Sequence, residues 1–591
     1  MAFSFHTPVR RNHIIGPAGV GSLIVTRSAV TALMCGLPSW LNSAPARGAD
    51  EAAKRKDRAD LLSGLALHDR NMERDLGIRR LISPPVVGDE ARHGVTWFVP
   101  AVRFPRAEYC HNPSCKAIGY ASPESPSIGR CTECGGKRPS RRQQVPMVMV
   151  CPAGHLDEVD WLGLTHPHES CMHPHLTYHL GSNIIAPEIH CTSCGVKERL
   201  NPREPVPCTG VRPWLPGYPK ETCAEQMRIL DRTSTQVYFA DIRSLLHIPA
   251  DGDLRDAVLR WLQDDPIAHA LSEVPGDPAL APLLDRALPL FPDLTMTALA
   301  AHVAAINNPV EPEPGRGPEL DALTSGRRGV HTADGPPVLD AEVIPPNAHP
   351  THVGTQSPIA QVVAVHRLAE TRALAGFTRV EPPIRGGSGA TGYHLLWGTR
   401  QEINPHADWL PGQRVYGEGI LLELNATTVA KWSKQATRHL LPVTLQGETL
   451  TVEFQLAHTL AHLLMNAAAL QCGYPIASLR DRIYDLPGRT ALLIYTGEGD
   501  TIGTMGGLVE LAQPGELEHL LDVAYANARW CGLDPVCLEP VQHIRHGTAG
   551  ACHQCCLLPE TSCDWWNEGL DRATLIGRGP MVGYLDMPDF P

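Results

Sequence analysis

A chain of 591 residues is too long for one hydrophobic core and predicts several domains. Its 43% apolar content is that of a globular protein, while 52 glycines and 54 prolines predict many turns and irregular connections. The formal charge of −12 excludes a protein that coats nucleic acid over its whole surface, but the charge is uneven. Residues 1–150 hold 21 Lys and Arg against 12 Asp and Glu, and the remainder holds 30 against 51. A basic front on an acidic body can face a phosphate backbone or can simply be two differently charged surfaces.

In chain order, Gly16 to Ser22 has the glycine spacing of a phosphate-binding loop. Ser22 follows Gly21 directly, so the lysine that would reach the terminal phosphates has no position, and a tight turn between two strands is expected. Gly16, Pro17, Gly19 and Gly21 also break Ile14–Val25 as a secretion-signal core. Lys54 to Arg58 and Arg79-Arg80 read as solvated charge runs, and Val95–Phe104 as a strand.

Ten of the eighteen cysteines then fall between Cys110 and Cys223, with histidines among them. Cys131 and Cys134 form C-x-x-C-G-G, and Cys191 and Cys194 form C-x-x-C-G. A two-residue gap lets both sulfurs reach one tetrahedral ion, and the glycine lets the backbone turn beneath them. Zinc in a reducing cytosol is expected rather than disulfides. One site is expected from Cys110, Cys115, Cys131 and Cys134. A second would use Cys151, His155 and Cys171 with His166 or His168, and a third Cys191, Cys194, Cys208 and Cys223. The first and third are closed thiolate sets, which stabilise structure and leave no position open for catalysis. Lys137, Arg138, Arg141 and Arg142 follow the Cys131/Cys134 knuckle and form a candidate DNA-binding cluster, the alternative being a solvated charged loop.

Asp253–Gln263 has helical spacing. Between Asn307 and Ser357 apolar periodicity vanishes and prolines recur from Pro309 to Pro350, which predicts an exposed linker or loop. A helix is expected from Val365 to about Ala375, and strands at Glu418–Leu424 and Ala491–Thr496. Val452–Leu470 is a buried helix, not a membrane span, since His458, His462 and Asn466 interrupt its apolar run. His458 and His462 have zinc-peptidase spacing, but the general-base glutamate is replaced by Thr459, so buried polar packing is expected. The Gly497–Gly503 loop lacks the third glycine of a dinucleotide fingerprint, where Ile502 stands. After an amphipathic helix at Glu516–Trp530, a fourth zinc site is expected from Cys537, Cys552, Cys555 and Cys563, with Cys531 the alternative ligand and Cys556 spare.

The whole reads as a mixed α/β multidomain chain, with zinc-ribbon-like modules in the N-terminal half and a zinc-binding α/β C-terminal domain. The expected divisions are an N-terminal α/β segment (1–105), a multi-zinc region (106–235), a helical segment (236–306), the linker (307–358) and the C-terminal domain (359–591).

Several stretches carry a family resemblance. They are Arg11–Ser22, Arg103-Phe104-Pro105, Cys151–His155, Arg212–Leu215, Gly376–Arg379, Tyr495–Asp500, Ala551–Cys555 and Leu558–Cys563. In these the chain resembles the DrmB family of the bacterial DISARM anti-phage defence system. Its C-terminal part is also similar to the zinc-binding domain that ends MrfA-type DNA-repair helicases. The resemblance implies a cytoplasmic, non-catalytic antiviral-defence subunit that pairs with a DrmA-type helicase, which supplies ATP hydrolysis, and that helps it bind foreign DNA. Two rival readings stay open. A zinc-dependent hydrolase or nuclease would need an open metal site near Cys151/His155, and an interaction scaffold would never touch DNA.

Overall fold

Strand registers and buried faces follow from a computed structural model. It describes residues 9–587 apart from 44–63, 86–98, 135–139, most of 248–314, 399–408, 498–505, 540–547 and shorter stretches. The chain divides into two units that are not consecutive in sequence: residues 1–245 with 371–414, and residues 246–370 with 415–591.

In the first unit, Leu23–Val25, Thr31–Met34 and Ala101–Arg103 form an antiparallel sheet. Its apolar residues join Trp40, Trp214, Phe377, Trp397 and Trp409 in one core. Gly21 sits at φ +81° and leads into the first strand, and a Cβ there would lie 2.7 Å from the Phe377 ring. This is the turn expected of Gly16–Ser22, except that the short helix Arg11–Ile14 precedes it instead of a strand. The Ser22 side chain is buried, which removes the hydroxyl that a phosphate loop presents.

Three small antiparallel sheets follow, and the cysteines sit at their ends. Ala107–Cys110 pairs with Ile118–Tyr120 and with Arg142–Gln144. Met147–Val150 lies between Leu156–Asp157 and Gln226–Asp231, and the latter also pairs with Val206–Pro207. Leu176–His179, Glu188–Cys191 and Lys197–Arg199 make a meander. Their shared core is small, with Tyr109 stacked on Tyr178 and Trp161 edge-on to the same ring. So little apolar material calls for cross-links.

In the second unit one sheet runs in the order Val330–His331, Pro337–Ile344, Ile359–Thr378, Trp409–Leu424, Arg489–Thr496, Leu479–Leu486. Ile359–Thr378 contributes residues up to Glu370 to this unit and the rest to the first, and Trp409–Leu424 divides likewise after Arg414. Alternate residues serve opposite faces. Ile420, Leu422, Leu492 and Ile494 join a core with the helices Ala426–His439, Val452–Cys472 and Glu516–Arg529. Leu421, Ala491, Leu493 and Tyr495 join a second core with the helix Arg316–Thr324. The pairs Pro337–Ile344 with Ile359–Thr378, Trp409–Leu424 with Arg489–Thr496, and Arg489–Thr496 with Leu479–Leu486 are antiparallel, and with helices on both faces the unit is a mixed helix-and-sheet arrangement.

Two expectations are corrected here. Val365–Ala375 is strand, not helix; burial on both faces gives a near-continuous apolar run that periodicity cannot tell from a helix. Residues 307–358 are not simply a linker. Arg316–Thr324 buries Leu320 and Leu323, and Pro337–Ile344 pairs along Ile359–Thr378 with Leu339 and Ala341 buried. Arg482 and Glu319 form an ion pair that ties that helix to the sheet. The Asp253–Gln263 stretch apart from Val258 and Trp261, the Gly497–Gly503 loop beyond Gly497, the Lys54–Arg58 run and Val95–Phe98 lie outside the described residues, while Ala101–Arg103 is strand, as expected for Val95–Phe104. Among the described residues no helix is long and apolar enough to cross a membrane.

Candidate metal centres

Strand pairing decides which knuckles meet. In the first centre, Cys110 ends its strand and Arg142 is its register partner, so the 131–134 knuckle folds back onto Cys110 and Cys115. The Sγ separations are 3.2 Å for Cys110–Cys134 and 3.8 Å for Cys115–Cys131. A tetrahedron with zinc–sulfur bonds of about 2.3 Å has edges of about 3.8 Å, so the spacing fits zinc. Burial pushes the Cys110 thiol up to about 12, while the bond from Cys110 holds Cys134 down to about 6. A divalent cation among them would let all four ionise. The Asn112 backbone N–H donates to Cys110 Sγ at 3.4 Å.

The second and third centres divide their ligands differently from expectation. The hairpin Cys151–His155 caps the strands Met147–Val150 and Leu156–Asp157. Gln226–Asp231 pairs with Met147–Val150, and Val206–Pro207 pairs with Gln226–Asp231, which carries Cys208 and Cys223 to that hairpin. The group is therefore Cys151, His155, Cys208 and Cys223. His155 Nδ1 lies 3.4 Å from Cys208 Sγ, and its Nε2 meets Glu221 at 2.6 Å. Glu221 also pairs with Arg212. A carboxylate behind a ligating imidazole fixes its tautomer and orientation. Burial lowers the His155 pKa against the opposing pull of Glu221, and so favours the neutral ligand form.

The third group is His166, Cys171, Cys191 and Cys194. The helix Trp161–Thr165 delivers His166, whose Nε2 is 3.2 Å from Cys194 Sγ while Thr165 Oγ1 holds Nδ1 at 2.8 Å. Leu176 pairs with Cys191, which brings Cys171 to the knuckle, 4.0 Å from Cys191. The sequence alone pairs Cys191/Cys194 with Cys208/Cys223, and Cys151/His155 with Cys171 and either His166 or His168. The strand register exchanges those halves.

In the second unit the group is Cys531, Cys537, Cys552 and Cys555. Cys531–Cys552 is 3.5 Å and Cys537–Cys555 is 3.8 Å. Cys531 takes the place expected for Cys563, and Cys556 is outside the group. Arg572 braces this corner, with Nη1 on the Ala528 carbonyl at 2.7 Å and Nη2 on Asp534 at 2.6 Å. Cys563 instead lies with His458, His462 and Asp481, all four buried. The His458/His462 spacing was the sequence signal for this group. Asp481, inside the strand Leu479–Leu486, gave none. All eighteen cysteines are free of disulfides.

The DNA candidates divide as well. Arg141 is exposed, whereas Arg142 is half-buried with Nη2 3.9 Å from Cys131 Sγ. Lys137, Arg138 and His168 lie outside the described residues.

Comparison with known proteins bears on these centres. Residues 460–556, which include Cys531, Cys537, Cys552 and Cys555, match the MrfA Zn-binding domain. Residues 10–239 match a domain of unknown function, DUF8724. The chain is similar to the DISARM protein DrmB of Bacillus paralicheniformis. Identity is 26% over 526 residues, covering 81% of this chain and 89% of that DrmB. The likeness to DrmB thus extends well beyond the zinc-binding domain, and the Cys/His clusters in both units are suited to zinc.

Proposed function

We propose that this chain is a zinc-stiffened, non-catalytic subunit of a DISARM-type anti-phage complex, acting in the cytoplasm beside a DrmA-type helicase and helping it to hold foreign DNA. The observation that carries this is the similarity to DrmB over 81% of the chain. The chemistry of the sites supports it. The four cysteine-rich centres, three of them built on a Cys-x-x-Cys knuckle, are closed four-ligand sets, which suit structural zinc and leave no coordination position for water or substrate. The Gly16–Ser22 turn has a buried serine and no lysine, so ATP hydrolysis falls to the helicase.

DNA contact is assigned to the basic cluster that follows the Cys131/Cys134 knuckle in sequence, through Lys137, Arg138 and the exposed Arg141. Arg142, turned toward Cys131, adds positive potential at that face and supports the knuckle. Phosphate contacts release counterions, so binding should weaken steeply as salt rises.

The test is co-purification with the candidate helicase, followed by DNA binding across a salt series. A stable complex is expected whose salt slope flattens in a Lys137/Arg138/Arg141 triple-alanine variant, with assembly unchanged. No co-purification would overturn the partner assignment. An unchanged affinity and slope would overturn the DNA face.

A further inference from the structure

We propose that His458, His462, Asp481 and Cys563 form a fifth metal centre, a closed tetrahedral zinc site inside the second unit. Three separate parts of the chain converge on it. The helix Val452–Cys472 carries the two imidazoles one turn apart on one face. The strand Leu479–Leu486 supplies Asp481, and the C-terminal segment supplies Cys563.

The donor atoms are spaced as zinc requires. His458 Nε2 is 3.1 Å from Cys563 Sγ and 3.2 Å from Asp481 Oδ2, and His462 Nε2 is 3.6 Å from the same oxygen. One atom from each residue lies within 4.8 Å of all the others. Zinc bonds of about 2.0–2.3 Å to nitrogen, oxygen and sulfur give tetrahedral edges of about 3.3–3.8 Å.

The outer contacts orient these atoms inward. His462 Nδ1 meets the Cys556 carbonyl at 2.9 Å, so Nδ1 carries the proton and Nε2 presents a lone pair to the cluster. That buried Nε2 has no hydrogen-bond partner. It faces a carboxylate oxygen, so two acceptors oppose each other across a space that a cation would bridge. Cys563 Sγ accepts backbone N–H bonds from Trp565 at 3.2 Å and Asn567 at 3.3 Å, the pattern of a ligating thiolate. Phe454 packs against both His458 and Trp565, walling the site with aromatic rings.

Charge also favours zinc. One carboxylate, one thiolate and two neutral imidazoles sum to −2, so Zn²⁺ leaves a neutral unit. That suits side chains with 0–4% exposure better than an uncompensated ion would. The site is structural: four protein donors fill the tetrahedron, and Thr459 stands where a zinc peptidase has its glutamate. Thr459 Oγ1 donates to the Gln455 carbonyl at 2.7 Å and accepts from the Asp571 N–H at 3.0 Å.

The proposal concerns folding of this unit and does not depend on the defence-complex reading. Its test is zinc content of the purified full chain, compared between wild type and Asp481→Asn. Wild type should carry one more zinc than the variant. A soluble Asp481→Asn chain with wild-type zinc content overturns the proposal.

Should the variant fail to fold, zinc-edge X-ray fine structure on the wild type decides. The other four groups offer fourteen sulfurs and two nitrogens, and the fifth adds one sulfur, two nitrogens and one oxygen. The nitrogen-plus-oxygen share per zinc should therefore be about twice that of the four centres alone. Four zincs per chain with the lower share would overturn the site.

Discussion

Arg379 offers the sharpest test of how the first unit is held together. Its guanidinium is buried, with Nε on the Gly154 carbonyl and Nη2 on the Gly21 carbonyl, each at 2.8 Å, and Nη1 on the Val237 carbonyl. It also lies over the rings of Trp214 and Phe377. One side chain thus binds the Cys151–His155 hairpin to the N-terminal turn. Arg379→Met keeps the apolar stem and removes every donor. Three carbonyls losing a charged donor cost about 1.5–3 kcal/mol each, and relief of the buried charge returns several kcal/mol. The net loss expected is about 2–4 kcal/mol, or about 30- to 1000-fold in local opening. The readout is capture of zinc by a coloured chelator, which reports opening when closing is fast. One zinc equivalent, that of the Cys151/His155/Cys208/Cys223 centre, should leave faster by that factor while the rest keep their rates. Uniform acceleration of all the zincs, or none, would refute the stitching argument.

Other outcomes follow from the same geometry. Cys131→Ser should lose one zinc equivalent and much of its solubility, checked by metal analysis of the soluble fraction; a folded, fully loaded variant would contradict a structural centre. Gly210 sits at φ +67° and an added Cβ would lie 1.8 Å from the Glu221 carbonyl, so Gly210→Ala should displace Cys208 from Cys223 and release one zinc in the same assay. Trp432→Ala empties a fully buried site edge-on to Tyr584 and should cost about 3–5 kcal/mol, read from denaturant unfolding of the second unit.

Burial raises the Asp571 carboxyl to about 6 despite Arg578 and Arg572. The native state then holds its proton more tightly than the unfolded chain, so this residue's contribution is fully present below about pH 4 and is lost as pH rises through about 6. A carboxyl resonance titrating near pH 6 that vanishes in Asp571→Asn is the expected signature.

Local chemistry was legible in the sequence and distant pairing was not. Each Cys-x-x-Cys knuckle needs only a tight turn, so Cys131/Cys134, Cys191/Cys194 and Cys552/Cys555 could be read directly. Which knuckle meets which depends on the register of Met147–Val150 against Gln226–Asp231, a contact made across about eighty residues that leaves no mark in spacing. Cys531 and Cys563 are both reachable from Cys552 along the chain, and only the helix Val452–Cys472 draws Cys563 away. Val365–Ala375, inside the strand Ile359–Thr378, reads as a helix because alanines, leucines and charges at helix-like intervals are also what a strand buried on both faces shows. In 307–358, proline and glycine counts hid a short helix whose two buried leucines are too few to set a period.

The second and third centres are nested, and this bears on the order in which the chain acquires metal. His166 and Cys194 are 28 residues apart, whereas Cys151 and Cys223 are 72 apart and enclose the whole inner group. Closing the longer loop costs about 0.8 kcal/mol more in chain entropy, and the inner ion recovers that difference by shortening the free chain between the outer ligands. During synthesis Cys151 and His155 emerge first but must wait for Cys223, exposed to oxidants and to competing metals while the inner centre loads. The protein's vulnerable moment therefore comes before it is complete, and a cell short of zinc would accumulate chains filled at the inner site and open at the outer one.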